Sequence, residues 1–151
     1  MMAIPYTHSG ALASAIAMDK AISRYLFHDA HVPLAPGHVI TKEKLLAHKE
    51  PARPYVVKPL NEGSSVGVAL VAVMGDRALG AIEIRTDRRF YDYVAKYTPG
   101  ASTHYMPAPI HPDAYAECLE ISVEAHKALG CRGVSRVDLR YDDTEGEPGK
   151  F

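Results

Sequence analysis

A lysine and a loop of small polar residues stand between two β-branched runs in "VVKPLNEGSSVGVALV", residues 56–71. Backbone amides freed by Gly63 and flanked by hydroxyl groups can line an anion, with Lys58 beside them as a point charge. Small polar residues also make good hairpin turns, so these residue types are equally compatible with a structural loop. The stretch therefore predicts either a phosphate-binding loop or a turn.

An arginine and an aspartate alternate in "SRVDLR", residues 135–140. Residues two apart in a strand point to the same face, so Arg136 and Asp138 are predicted to lie side by side. In isolation such a pair is usually a salt bridge that is worth little at a surface. The spacing thus predicts that the two side chains are neighbours and leaves their role open.

Helices and strands alternate in the first half of the chain. Ala-rich composition predicts a helix over residues 11–29, and two prolines keep residues 32–36 extended. A strand is predicted in "GHVI", followed by a short charged helix from about Thr41, whose hydroxyl can cap it, to a stop near Pro51. Further strands are predicted at residues 55–57 and 66–71.

The second half begins with an apolar run, "VGVALVAVMGD", that is longer than an ordinary strand. "RALGAIEI" predicts another strand, and residues 85–110 predict an aromatic loop with little periodicity. The best helix pattern covers residues 113–129, with Asp113 as N-cap after Pro112 and Gly130 as terminator. "GVSRVDLRYDD" then predicts an alternating strand.

Composition indicates a soluble single domain, because 151 residues of which 47% are hydrophobic and 23% charged can bury a core. A net charge of -1 gives no basic footprint for a nucleic acid, and no apolar run reaches the roughly 20 residues of a membrane span. Cys118 and Cys131 match neither a CxxC pair nor a structural zinc set, and the N-terminus resembles no signal peptide. A cytoplasmic location is therefore expected.

Four long segments resemble the D-alanine–D-alanine ligase family, in the family's order: "SGALASAIAMDK", "PYVVKPLNEGSSVGVALV", "FYDYVAKYTPGASTHYMPAPI" and "ALGCRGVSRVDLRYDD". The resemblance covers nearly the whole chain and is far more specific than a short glycine motif. It implies an α+β ATP-grasp fold, in which two α+β subdomains hold ATP between them. Residues 1–9 would be a remnant of an N-terminal substrate domain, 10–71 the central subdomain and 72–151 a truncated C-terminal subdomain.

Three parts of the family pattern are missing from the sequence. Most of the N-terminal domain is absent, with the glutamate that orients the first D-alanine. A helix and a hinge segment that hold adenine and ribose are absent near Val71 and Ala72. An "EIN" strand with two more magnesium ligands is absent after "DLRYDD". Either the sequence joins pieces of a larger enzyme, which we favour, or the deletions are real.

The reaction implied by the resemblance is ATP-dependent ligation. One D-alanine carboxylate attacks the γ-phosphate, and the amine of a second D-alanine attacks the resulting acyl phosphate. Such a site depends on positioning and charge neutralisation. The resemblance assigns Lys20, Lys58 and Lys96 to the ATP phosphates. It also assigns a flexible loop over the γ-phosphate to Glu62, Gly63, Ser64 and Ser65.

Four residues carry the chemistry that the resemblance implies. Ser64 joins the network that orients the substrate, and Tyr97 hydrogen-bonds with it when the loop closes. Arg136 steadies the tetrahedral oxyanion. Asp138 is a magnesium ligand, as suits a hard oxygen donor, with two Mg²⁺ ions expected and Mn²⁺ as a substitute.

A cytoplasmic homodimer that uses ATP and D-alanine is the leading interpretation, with no nucleic acid or membrane partner. A related ATP-grasp ligase with D-lactate or D-serine as acceptor is the second. A non-catalytic fragment that binds nucleotide is the third, and is preferred if the deletions are real. His104 and His126 are assigned to surface or structural roles, because nothing in the sequence pairs them with a nucleophile.

Overall fold

Four antiparallel strands form one sheet in the computed structural model, which describes residues 5–47, 57, 69–86, 95 and 97–151. The strands are β1 (Ala69–Met74), β2 (Arg77–Arg85), β3 (Thr103–Tyr105) and β4 (Val134–Leu139). Their order across the sheet is β3-β2-β1-β4, so β4 lies at an edge beside β1. Gly75 closes the β1–β2 hairpin with a φ of 64°, a conformation that glycine adopts without steric strain.

Alternation along the strands separates two faces of the sheet. The covered face carries Val71 and Val73, which are fully buried, and Val137, which lies opposite Val71 in the pairing of β1 with β4. The open face carries Arg136 and Asp138, because successive side chains in a strand point to opposite sides. The period of two expected in "SRVDLR" is thus confirmed, and it directs the charged pair away from the core.

Four helices have described bounds: α1 (Ala11–Met18), α2 (Lys20–Asp29), α3 (Lys42–Leu46) and α4 (Pro112–Ala128). Helix α4 packs on the covered face against β1, β2 and β4. The main core cluster consists of Val71, Val73, Ala81, Ala108 and Cys118. A second cluster, under α2 and α4, consists of Val32, Ile121 and Ala125.

The helix predicted at residues 113–129 is confirmed as α4, but its N-cap differs from the prediction. His111 is the N-cap, and its Nδ1 accepts a hydrogen bond from the Asp113 N–H at 3.2 Å. Pro112 begins the helix, where its missing N–H costs nothing, so Asp113 lies inside the first turn. Gly130, with a φ of 63°, ends the helix as expected.

The single helix predicted over residues 11–29 is wrong, because the chain forms α1 and α2 with a break at Asp19. Asp19 has an extended backbone (φ -94°, ψ 105°), and its carboxylate accepts the N–H groups of Ala21 and Ile22 at 2.9 and 3.0 Å. An aspartate that bonds to the backbone in this way competes with a continuing helix and caps a new one. Composition alone did not reveal this local competition.

Two other differences concern strands. β3 lies within residues 85–110, which the sequence predicts to be a loop, and pairs with β2 so that Tyr105 is opposite Glu83. Residues 38–40, in the predicted strand "GHVI", lie in the described range and form no strand there. Thr41 does cap α3, accepting the Lys44 N–H at 3.4 Å. Both errors concern strand pairing. Whether a short segment forms a strand depends on a partner strand that is distant in sequence, and the residues of the segment itself do not reveal that partner.

Three predicted strands lie around Val71 and Ala72, where a segment of the family pattern is missing. "RALGAIEI" is confirmed as β2. β1 runs through Val71 and Ala72, the position where a missing segment was expected, and it pairs with β2 and β4 on both sides of that point. The strand predicted at 55–57 and the start of the one predicted at 66–71 lie outside the described residues, apart from Val57, which is not in a strand.

Candidate functional site

Arg136 and Asp138 form the best-defined polar pair on the open face. Nε of Arg136 donates a hydrogen bond to Oδ1 of Asp138 at 2.9 Å, and Nη2 lies 3.5 Å from Oδ2. The arginine side chain is 65% exposed and the aspartate side chain 24%. A ligand that approaches this face therefore meets a guanidinium whose orientation is already restricted by its neighbouring carboxylate.

The neighbouring strand leaves this pair uncovered. Arg136 lies opposite Ala72 in the pairing of β4 with β1. A methyl side chain at position 72 is too short to cover the guanidinium, and the two positions share one face because directly paired residues point to the same side. The register of β1 and β4 therefore helps to keep the arginine accessible.

The same strand is anchored from the covered face by a contact that sequence reasoning missed. The Nδ1 atom of His126, on α4, lies 2.7 Å from the Ser135 hydroxyl. His126 is 3% exposed, and burial lowers the pKa of its imidazole, although a hydrogen bond with the Cys131 backbone opposes this. His126 is thus buried, in line with a structural role, while His104 is exposed on β3. No residue pattern in the sequence pairs His126 with Ser135.

Lys20 is the first residue of α2 and directly follows the break at Asp19. The carboxylate of the preceding residue, Asp19, caps this helix. Tyr97 is 69% exposed, and its backbone is helical. These two residues, with Arg136 and Asp138, are the predicted site residues that the structure describes.

The remaining predicted site residues lie outside the described residues: Lys58, Glu62, Gly63, Ser64, Ser65 and Lys96. The described geometry brings Arg136 and Asp138 together. Convergence of the lysines and the loop on that pair stays a prediction.

Across the residues that the structure describes, no group of three or more His, Cys, Asp or Glu side chains could hold a metal ion. Among the described residues, Asp138 is thus not part of a group of three or more such side chains. Burial raises the pKa of the Cys118 thiol to about 11, with a further contribution from Glu117. A thiol with such a pKa is neutral at pH 7, and this argues against Cys118 as a nucleophile.

The family model described as "D-ala D-ala ligase C-terminus" matches residues 69–148. A D-alanine--D-alanine ligase from Paramagnetospirillum magneticum is 52% identical, in an alignment that covers 100% of this chain and 60% of the relative. One from Rhodospirillum rubrum is 49% identical and covers 94% of this chain and 58% of the relative. The chain thus spans about three fifths of the length of these relatives.

Solved structures share the fold. VanG D-Ala:D-Ser ligase from Enterococcus faecalis has a TM-score of 0.72 at 26% identity, covering 91% of this chain and 52% of that one. D-alanine--D-Alanine ligase from Bacillus anthracis has a TM-score of 0.66 at 24% identity, covering 93% of this chain and 58% of that one. The α+β, ATP-grasp fold class expected from the sequence is therefore confirmed.

The alignment with the P. magneticum relative also contains information about the missing segment. It extends over 183 positions, whereas this chain has 151 residues and is covered completely. The relative therefore has residues inside the matched region that this chain lacks, in agreement with the expectation of an absent internal segment. As for membranes, none of the described helices is both long and apolar enough to cross one.

Proposed function

This chain belongs to the D-Ala–D-Ala ligase C-terminal family, and we propose that it serves an enzyme that joins two D-alanines at the expense of ATP. The observation that carries the proposal is the Arg136–Asp138 pair, which the open face of β4 presents to solvent. Relatives that are 52% and 49% identical, both named D-alanine--D-alanine ligase, support it. The product would supply peptidoglycan synthesis.

Arg136 would stabilise the negative charge that develops on the carbonyl oxygen of the acyl group. When the amine attacks the acyl phosphate, the carbonyl π electrons move to oxygen. The tetrahedral species then expels phosphate as the C–O bond breaks, and the amine loses a proton. A guanidinium remains charged at any physiological pH and donates in a fixed planar geometry. Its bond to Asp138 restricts its orientation before substrate arrives, so less reorganisation is needed in the transition state.

Asp138 suits a magnesium ion. Magnesium is usually held by one or two carboxylates together with substrate phosphates and water, so Asp138, on an accessible face, would supply one of its carboxylate ligands. The Asp138 oxygen that lies 3.5 Å from Arg136 Nη2 makes the weaker of the two contacts and has coordination capacity left. When bound, the ion would neutralise phosphate charge, and Mn²⁺ would substitute for it.

The ATP phosphates would be held by lysines on other parts of the chain. Lys20 at the start of α2 is one of these, and Tyr97 would join Ser64 in closing the loop over the γ-phosphate. Phosphoryl transfer depends chiefly on such positioning and charge neutralisation. The proposed phosphate-binding set consists of Lys20, Lys58, Glu62, Gly63, Ser64, Ser65 and Lys96.

The test is release of inorganic phosphate from ATP by the full protein, with and without D-alanine. We expect release that depends on D-alanine, and a loss of roughly 100-fold to 1,000-fold in kcat for Arg136→Ala, as for removal of one oxyanion donor. Arg77→Ala is the matched control, because Arg77 is an exposed arginine in β2 and lies at the hairpin end of the sheet. Normal turnover by the Arg136 variant would rule out this assignment.

Acceptor choice is measured in the same assay. Three reactions are compared, each with D-alanine as the first substrate and with D-alanine, D-serine or D-lactate as the second. D-Serine is included because VanG D-Ala:D-Ser ligase shares this fold at 26% identity. We expect D-alanine to be preferred, because the relatives at about 50% identity carry that name. Nucleotide binding by the 16.5 kDa chain without any turnover would instead favour the non-catalytic interpretation.

The proposed enzyme also has an expected oligomeric state and location. We propose a homodimer in the cytoplasm, where ATP is available. The two cysteines support a reducing compartment, since Cys118 and Cys131 are both free thiols. Light scattering of the purified protein would measure the oligomeric state.

A further inference from the structure

The turn that leads into β4 is held by residues 6–9, which lie far away in sequence. The Ser9 hydroxyl donates a hydrogen bond to the Arg132 carbonyl at 3.0 Å and accepts the Arg132 N–H at 3.2 Å, across 123 positions of the chain. The Arg132 guanidinium carbon also lies 4.8 Å from the centre of the Tyr6 ring. One short segment thus holds both the backbone and the side chain of Arg132.

Gly133 fits beneath the same segment because it has no side chain. Its φ is 66°, and a Cβ atom at this position would overlap the Thr7 carbonyl oxygen. On the opposite side, the Gly133 carbonyl accepts the Gly75 N–H, in the β1–β2 turn, at 3.2 Å. Gly133 is therefore held between residues 6–9 and the hairpin, with no room for a larger residue.

This turn is directly connected to the charged pair. β4 begins at Val134, and a strand rises about 3.3 Å per residue, so Arg136 lies roughly 10 Å from Gly133 along a stiff element. A shift at the start of β4 is therefore transmitted to Arg136 and Asp138. Misplacement of reacting groups by about 1 Å can reduce a rate roughly 100-fold.

We propose that residues 6–9 form a positioning element for the site: by holding Arg132 and Gly133, they determine where Arg136 and Asp138 meet the reacting groups. Ser9 and Gly133 are positioning residues in this scheme and touch neither substrate nor metal. The inference rests on the proposed function for the identity of the reaction, and on the contacts above for the position of β4.

The first test compares two substitutions of Ser9 in the full protein. Ser9→Ala removes both hydrogen bonds to Arg132, and we expect kcat for ligation to fall about tenfold, with KM for ATP within about twofold, because placement of Arg136 matters most in the transition state. Ser9→Thr keeps a hydroxyl at the same position and should restore kcat to within about threefold of the original protein. Because partial unfolding would also lower the apparent kcat without changing KM, kcat is calculated per folded molecule, with the folded fraction measured by circular dichroism under the assay conditions.

The second test compares two glycines with the same backbone conformation. Gly130 and Gly133 have φ values of 63° and 66°, but a Cβ at Gly130 meets no heavy atom within 4 Å. Gly130→Ala therefore introduces the conformational strain alone, while Gly133→Ala adds the collision with Thr7. We expect roughly 100-fold loss of kcat for Gly133→Ala and less than about threefold for Gly130→Ala.

The NMR resonance of the Arg136 Nε–H group provides a readout that does not need turnover, because this group donates to Asp138. It should shift in Ser9→Ala and Gly133→Ala and stay in place in Ser9→Thr and Gly130→Ala. An unchanged resonance, or unchanged kcat in Ser9→Ala where the original protein is active, overturns the positioning role. Absence of D-alanine-dependent turnover in the original protein defeats the proposed function instead, and the resonance then decides the positioning of Arg136 by itself.

Discussion

The two faces of β4 serve different purposes although they alternate residue by residue. On the covered face, Val137 packs into the core and Ser135 contacts His126 of α4. On the open face, Arg136 and Asp138 contact each other and solvent. A strand with a period of two can therefore hold a charged pair in place without burying its charges, because core packing and the charged side chains use opposite sides of the same backbone.

The difference between the faces predicts that substitutions should affect either stability or activity, and seldom both. Residues on the open face contribute little to stability, since exposed ion pairs are worth about 0–1 kcal/mol. Residues on the covered face contribute transfer and packing energy that does not depend on substrate. The following experiments test this separation in order of expected size.

Asp138→Asn tests the open face. We expect at least a roughly 100-fold loss of kcat, which corresponds to about 2.7 kcal/mol in the activation barrier, because an amide is a much weaker magnesium ligand than a carboxylate. The Mg²⁺ concentration for half-maximal activity should rise. Thermal unfolding should change by less than about 1 kcal/mol in stability. A large loss of stability with unchanged metal dependence would mean that Asp138 is structural.

Val71→Ala and Val134→Ala test the two faces with one chemical change. Val71 is 0% exposed on the covered face and Val134 is 54% exposed in β4. Loss of two methyl groups should cost about 2 kcal/mol at Val71 and less than about 0.5 kcal/mol at Val134. Urea unfolding measures both values. Equal losses would contradict the assignment of the two faces.

Tyr115→Phe tests the polar contact that connects α4 to β2. The Ala81 N–H donates a hydrogen bond to the Tyr115 hydroxyl at 3.1 Å. Its removal leaves that N–H without this acceptor and should reduce the free energy of unfolding by about 1 kcal/mol. Tyr25→Phe, at a tyrosine that is 72% exposed, should be neutral by comparison. Chemical denaturation of the two variants side by side gives the difference.

Protonation of His126 at low pH should reduce the free energy of unfolding, and by less than Tyr115→Phe does. Burial lowers the pKa of His126 in the folded protein below the value near 6.5 of an unfolded chain. The unfolded state then binds more protons between the two pKa values, so this contribution to stability is complete above about pH 6.5 and is lost as pH falls toward the lowered pKa.

The measurement is the free energy of unfolding between about pH 7 and pH 5. His126→Asn should lose part of the pH dependence seen in the original protein. His104→Asn removes an exposed histidine and should retain all of it. Identical pH profiles for the original protein and His126→Asn would refute the contribution of this imidazole.

Sequence reasoning succeeded where the physics is local. Apolar spacing, an Asp113 N-cap after Pro112 and a glycine stop predict a helix at residues 113–129, and α4 occupies Pro112–Ala128 with His111 as its N-cap. The proximity of Arg136 and Asp138 was predicted because alternation in a strand is a property of the backbone. The break at Asp19 was also local, and a capping aspartate before Lys20 was a signal that could have revealed it.

Sequence reasoning failed where distant segments meet. β3 is a three-residue strand that exists because β2 lies beside it. Nothing in residues 6–9 indicates that Ser9 holds Arg132 or that Thr7 covers Gly133. The predicted convergence of the lysines and the loop with Arg136 also depends on distant segments, and it stays a prediction because most of those residues lie outside the described part of the chain.

Neighbouring residues and motifs in a fixed order are enough to predict the family, the periods of the helices and strands, and which side chains share a face. Only the folded structure shows which face of β4 is covered and what holds the start of that strand. These depend on contacts between segments up to 123 positions apart, and the free energy of such contacts is set by packing and geometry that no local pattern encodes.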